Sequence, residues 1–376
     1  MKEKEMKNIV VDDMFLTIDM PTTAGSKMLD GYQSLITSEA ITRAATAGYT
    51  LAGKTDVGEF GIDLIGETSA RGAFVCKGTL KNASAEALIK GDAMGALCFD
   101  VNGYPRRVAA QTGLICLKPT CGAISRHGII SVAPSAETVS ILAKNTEDCR
   151  NLFTAIAENI AKENVPIRRV ALLTSLDTDT NTEVRRNISI AVSNLEKSGI
   201  SITYIENDNL SLSKAAWNII LCAELCKSTA RYDGVRYGHR ANSFSSLDEL
   251  YTNSRTEGFG DLIKTAILYG SDVLSGKNYQ RVYEKALRIR RVIAEEFAKI
   301  FEDFDAVLLP ACSQMVYPAK QVEKDKYVAF EENRFTAPAS LTGLPAIVAG
   351  YVQMIGKANA EHALLDVAKV LAGEGE

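Results

Sequence analysis

The segment ALCFDVNGYPRRVAAQTGLICLKPTCGAISRHG, residues 96–128, reads as strand, tight turn, short helix, strand and turn. Residues 97–99 and 114–117 are apolar runs short enough for buried strands, and Asn102-Gly103 is the turn signal that closes the first. A turn at a strand end can aim backbone N–H groups at one point. Here it holds Gly103 and Tyr104 between the charged residues Asp100 and Arg106. Strand, short helix and strand in succession predict an α/β fold.

Composition agrees with that class. The 376 residues are 46% hydrophobic, ample for a large core, and could make two or three average domains, though single α/β domains of this size are ordinary. A net charge of −4, from 42 basic and 46 acidic residues with no Lys/Arg block, gives no direct signal for nucleic acid or a membrane surface. The eight cysteines form no CxxC pair, sit mostly in apolar runs and follow no signal peptide. They predict reduced, buried thiols in a cytoplasmic protein. No apolar run approaches the ~20 residues that span a bilayer. His127 and His239 have no cysteine or carboxylate at ligand spacing, so no metal site is expected, and no motif asks for a cofactor.

Further from the opening segment, the charged start of the chain leads to Ile9-Val10-Val11, a short strand closed by Asp12-Asp13. Residues 38–47 read as a helix with Ser38 as N-cap and Gly48 as stop, before a strand over 49–53 that enters GKTDVGEFG. Glu147 and Asp148 open a helix that runs to about residue 157. Strands over 168–173 and 201–205 flank a helix over 182–198, which suggests a parallel crossover. Residues 212–231 form a helix with the only tryptophan, Trp217. In residues 278–301, Val282, Ala286, Ile289, Ile293, Phe297 and Ile300 recur at helical spacing, predicting a half-buried helix lying across the sheet. A strand over 305–310 and a last helix over 361–372 follow.

Three motifs occur together: Asp-x-x-Gly-x-x-Arg over 100–106, LKPT at 117–120 and SRHG at 125–128. Together they resemble the amidase signature family. ARYDGVRYG at 230–238 and SRTEGFG at 254–260 narrow the resemblance to the A subunits of glutamyl-tRNA(Gln) amidotransferases. The resemblance runs from about residue 7 nearly to the end, without the helical region that the family carries before its first strand. It implies one amidase-signature domain over residues 1–376, an α/β fold with a mostly parallel or mixed central sheet covered by helices on both faces, and a relay of lysine, bridging serine and nucleophilic serine. The family's turn reads DTGGSIR, and the nucleophile's place is held here by Tyr104. Its VAIKDN strand aligns without gaps so that the lysine falls on Asp12. Its GGSSGGS aligns with residues 78–84, GTLKNAS, so that the bridging serine falls on Leu80, and roughly seven residues are missing from the loop before it.

A carboxylate, a leucine and a phenol do not reproduce that relay. The chain is therefore expected to be an inactive relative that acts as a binding or assembly protein. Two alternatives stand beside this: an amidase or glutamine-dependent amidotransferase subunit with a rebuilt site, and a sensor of a small amino acid or amide. The resemblance implies partners related to the other amidotransferase subunits, one kinase-like and one small and wrapping. It also implies ligand contacts. Arg255 matches the arginine that pairs with the α-carboxylate of glutamine, and the acid for the α-amino group falls on Asn333. Blander readings exist for the rest: Asp100 and Arg106 as an ion pair bracing the turn, Lys54 and Lys118 as supports, Cys98 as an inert thiol, and Ser84 as the N-cap of a helix over 85–89.

Overall fold

The structure is a computed structural model that describes residues 7–158, 164–175, 180–325 and 327–374; the first six residues of the charged start lie outside it. Its strands are β1 (Lys7–Asp12), β2 (Tyr49–Thr55), β3 (Val75–Cys76), β4 (Thr79–Leu80), β5 (Gly95–Asp100), β6 (Ile115–Lys118), β7 (Thr138–Ala143), β8 (Arg169–Leu173), β9 (Ser201–Ile205), β10 (Ala306–Leu309), β11 (Ala346–Ala349) and β12 (Val352–Gly356). All but the β3–β4 hairpin join one sheet in the order β2-β1-β5-β7-β6-β11-β12-β10-β8-β9. The sheet is mixed. Its two ends are parallel, β2-β1-β5 and β10-β8-β9, while every pairing between β5 and β10 is antiparallel. Every residue of β5, β6 and β7 is buried, including the polar Asp100, Lys118, Thr138 and Ser140.

Helices α1 (Glu39–Thr46), α2 (Ala83–Lys90), α3 (Tyr104–Thr112), α4 (Thr146–Ile156) and α5 (Thr182–Lys197) alternate with the first nine strands. The single turn α6 (Asp208–Ser211) leads into α7 (Ser213–Thr229), α8 (Leu247–Gly258), α9 (Asp261–Val273) and α10 (Glu284–Asp303). The short α11 (Ala319–Lys324), α12 (Val328–Thr342) and α13 (Glu361–Ala372) complete the chain. The crossover β8-α5-β9 is parallel, as the spacing predicts. Among the described residues no helix is long and apolar enough to cross a membrane.

Several local expectations are corrected. Helix α10 does not lie across the sheet: its apolar stripe packs on α7 and α12, because α7, with Trp217 fully buried, is apolar enough to serve as its partner. Residues 279–283 before it wind as a π-helix. Ser38 stands at the N-cap of α1, yet its hydroxyl makes no capping bond. The cap of α2 is Asn82, whose side chain accepts from Ala85 N, and Ser84 lies inside the helix. All eight cysteines are free, but Cys76 and Cys121 are exposed and Cys226 is half-buried, since they lie on the outer hairpin, a loop and a helix surface rather than in the sheet.

Candidate functional site: the Asp12–Tyr104 turn and the cavity beside it

Strands β1 and β5 are parallel neighbours in a register that sets Val11 opposite Leu97. Their carboxyl ends therefore finish side by side, the usual place for a site in an open α/β sheet. Asp12 ends β1, and Tyr104 begins α3 just after β5. The Tyr104 hydroxyl donates to Asp12 Oδ2 in a short hydrogen bond. The same carboxylate accepts from Phe99 N at 2.7 Å and from Ser84 Oγ at 3.1 Å, and Ser84 Oγ lies 2.6 Å from Thr55 Oγ1. Asp12, Ser84 and Cys98 are 0% exposed, Tyr104 1% and Leu80 5%. Two of the three relay positions thus bond to each other in a closed cluster. The third, Leu80, lies in the same hydrophobic core with no polar side chain, its backbone N–H donating to Tyr317 O at 3.0 Å.

The turn between them is braced from beneath. Arg106 meets both oxygens of Asp100, through Nε at 2.9 Å and Nη2 at 3.0 Å, and also donates to Thr336 O, Gln353 Oε1 and Ser340 Oγ. Burial pushes the Asp100 carboxyl up, but the Arg106 charge and its hydrogen bonds outweigh this and hold it below its ordinary value. Gly103 has φ 87°, and a Cβ there would come 2.3 Å from Thr336 Cβ, so only glycine fits. Arg107, which the sequence reading did not single out, is also fully buried. It donates to Leu64 O, Asp63 O and Asn102 O at 2.9–3.0 Å, tying the turn to residues 63–64.

The residues matched to a glutamine clamp are occupied by the chain itself. Arg255, on α8, donates to the carbonyls of Thr229 and Tyr232 at 3.0 and 2.8 Å, and its guanidinium covers the Phe259 ring. Asn333 is buried in α12, and in the orientation that satisfies its amide it donates to Asn102 O and Ala329 O at 3.1 Å. The two share no partner. Lys54 donates to Pro21 O at 2.8 Å, and the buried Lys118 to Leu344 O at 2.9 Å, both supporting loops. His239 faces Glu257 at 2.7 Å. Among the described residues no group of three His, Cys, Asp or Glu side chains gathers to hold a metal.

On the other side of Leu80 lies a cavity of about 420 Å³, with apolar walls that include Val75 and Leu262 and with Glu59, Glu67 and Glu323 among its lining. Glu59 belongs to GKTDVGEFG and is 3% exposed. It accepts from Ser26 Oγ at 2.6 Å and from Gly260 N at 2.9 Å, and burial lifts its carboxyl to about 7. No sequence signal marked this cavity, because its lining comes from segments about 200 residues apart.

Residues 8–365 match the Amidase family model. The chain belongs to the amidase family. It is 33% identical over 393 residues to the A subunit of the glutamyl-tRNA(Gln) amidotransferase of Coxiella burnetii, covering 96% of this chain and 81% of that protein. The Streptococcus pneumoniae protein of the same name is 31% identical over 394 residues, with the same coverage. The crystal structure of the corresponding protein from Thermotoga maritima superposes with a TM-score of 0.80 at 23% identity, over 99% of this chain and 85% of that one. That last likeness carries the fold.

In this amidase-family chain burial governs the titration of the groups at the turn. Burial raises the Tyr104 phenol well above its ordinary value, and the charge of Asp12 adds to the effect. Burial likewise raises the Cys98 thiol, with the nearby Asp12 charge second. Burial lifts Asp12 itself to about 6, against the hydrogen bonds from Tyr104, Phe99 and Ser84. A carboxyl raised in the folded state contributes stability that is complete below its ordinary value of 3.8 and is lost as pH rises through about 6. A shift of this size corresponds to about 3 kcal/mol. Between pH 4 and pH 7 the wild-type chain should lose that much more stability than Asp12→Asn, measured as the urea midpoint at each pH. Parallel profiles would show that Asp12 is ionised at the same pH whether the chain is folded or not.

Proposed function

We propose that this chain is a non-hydrolysing amidase-family protein that works by binding and assembly, in the cytoplasm, with partners related to the other subunits of a glutamyl-tRNA(Gln) amidotransferase. One observation carries the reading: the Tyr104 hydroxyl is spent on Asp12 inside a cluster closed to water. An acyl-transfer site needs an ionisable nucleophile, a base that can take its proton, and room for substrate between them. Here the hydroxyl's pKa is raised, its acceptor is a carboxylate, and Leu80 interrupts the path. The assembly half is supported by the relatives, whose names make each one part of a larger enzyme, and by the survival of ARYDGVRYG and SRTEGFG while the relay is replaced.

Purified protein is expected to release no ammonia above buffer from glutamine, asparagine or simple amides. Steady release that a single substitution in the site abolishes would overturn the non-hydrolysing reading. Co-expression with the neighbouring genes, followed by size-exclusion chromatography with light scattering, is expected to give a complex of defined mass. A lone monomer with every candidate would remove the assembly role.

A further inference from the structure

The cavity beside Leu80 has a one-sided chemistry. Its walls are apolar, at Val75, Leu80 and Leu262, and its ionisable lining is acidic, with no lysine or arginine among the lining residues. Its volume of about 420 Å³ is in the range of small-molecule sites. Lys264, the cation that acts on Glu59, sits 4.0 Å from Asp261 and so faces a carboxylate already. Glu67 spends its oxygens on the backbone N–H groups of Leu64 and Ile65, at 2.8 and 2.9 Å. Glu59 differs from it. Ser26 and Gly260 take one bond on each oxygen and fix the carboxylate's orientation, while an ionised carboxylate has about four acceptor sites. Acceptor capacity therefore remains on a group that burial holds rigid.

We propose that this cavity binds an aliphatic primary amine, with its ammonium on Glu59 and its carbon chain along Leu80, Val75 and Leu262. The inference deepens the binding role proposed above and rests on it, because it takes Leu80 as a wall and not as a failed relay member. A ligand carrying only a carboxylate, such as pentanoate, meets repulsion from Glu59, Glu67 and Glu323, and no arginine or lysine lines the cavity to receive it. An ammonium instead gains charge-assisted hydrogen bonds in a partly desolvated site. Glu59, raised to about 7 by burial, has to ionise to receive it, with Asp261 opposing the ionisation and Lys264 favouring it, while Glu67 and Glu323 face the same cavity and Asp63 is buried nearby in the chain. Amine binding should therefore tighten as pH rises from 6 to 8.

The test is calorimetric titration and thermal shift on the full chain with n-pentylamine and 1,5-diaminopentane, using pentanoate, pentanol and glutamine as controls. The amines are expected to bind and raise the melting temperature, and the controls to do neither. Glu59→Gln keeps an acceptor for Gly260 and a donor for Ser26, so it is expected to fold and to bind about tenfold or more weakly. Leu80→Trp fills the cavity from another side and should abolish binding even if Glu59→Gln disturbs the fold. Equal binding of pentanoate and pentylamine, or no binding of either amine, overturns the proposal. Amine binding beside steady amide hydrolysis would leave the pocket standing and remove the non-hydrolysing reading; neither binding nor hydrolysis would remove only the pocket.

Discussion

The triple variant Asp12→Lys, Leu80→Ser, Tyr104→Ser should hydrolyse glutamine no faster than the wild-type chain, although it carries the family's relay residues again. Loss of such a relay costs on the order of a million-fold in turnover, and the three side chains alone should not recover it. The surroundings have been rebuilt for a carboxylate. Phe99 N–H and the Ser84 hydroxyl both donate into position 12, and a lysine ammonium can accept from neither. Where the family has glycines, Asn82 now caps α2 and also donates to Ile65 O at 3.0 Å, so that backbone is fixed by its own side chain. The Leu80 backbone is tied to Tyr317. Misplacement by about 1 Å already costs about a hundred-fold. Ammonia release by the folded triple variant at about 1 s⁻¹ or faster, an ordinary enzyme rate, would show that the scaffold had stayed intact.

Asp100→Ala is expected to destabilise the chain by about 3–5 kcal/mol, because it leaves the Arg106 guanidinium buried without its counter-ion. Both side chains are 0% exposed, and Ser140 Oγ also loses its acceptor. The paired change Asp100→Leu with Arg106→Met should cost less than the two single changes added together, since it strands neither charge. Chemical denaturation of the four proteins measures this. Additive losses would mean that the two residues stabilise the turn independently.

Positions along the chain were readable where the motif itself is local. Asp12, Leu80 and Tyr104 lie in short patterns that align without gaps, and the bracing role of Asp100 and Arg106 follows from opposite charges flanking one turn. What those residues face was not readable. Ser84 and Asn82 are both good cap residues two positions apart, and only the fold decides that Asn82 caps while Ser84 turns to Asp12, 72 residues earlier. Arg107 reads as a surface arginine until the turn and residues 63–64 are seen to enclose it. The stripe of α10 declares that one face is buried but not whether a sheet or a helix covers it. The antiparallel middle of the sheet has the same origin: periodicity marks a strand, whereas its neighbours are chosen by contacts far apart in sequence.

The bond between Tyr104 and Asp12 also makes the two positions depend on each other under mutation. Changing Tyr104 back to serine alone would empty a ring-sized space in the core, at about 3–5 kcal/mol, and take a donor from a buried carboxylate. Changing Asp12 back to lysine alone would set an ammonium against donors from Phe99, Ser84 and Tyr104. Either step consumes much of the roughly 5–15 kcal/mol by which folded proteins exceed unfolded ones. Each single replacement therefore threatens the fold, and replacing both still leaves the Phe99 and Ser84 donors facing position 12. Ordinary selection for a folded chain is then enough to hold Tyr104 and Asp12 in place, whatever else the site does.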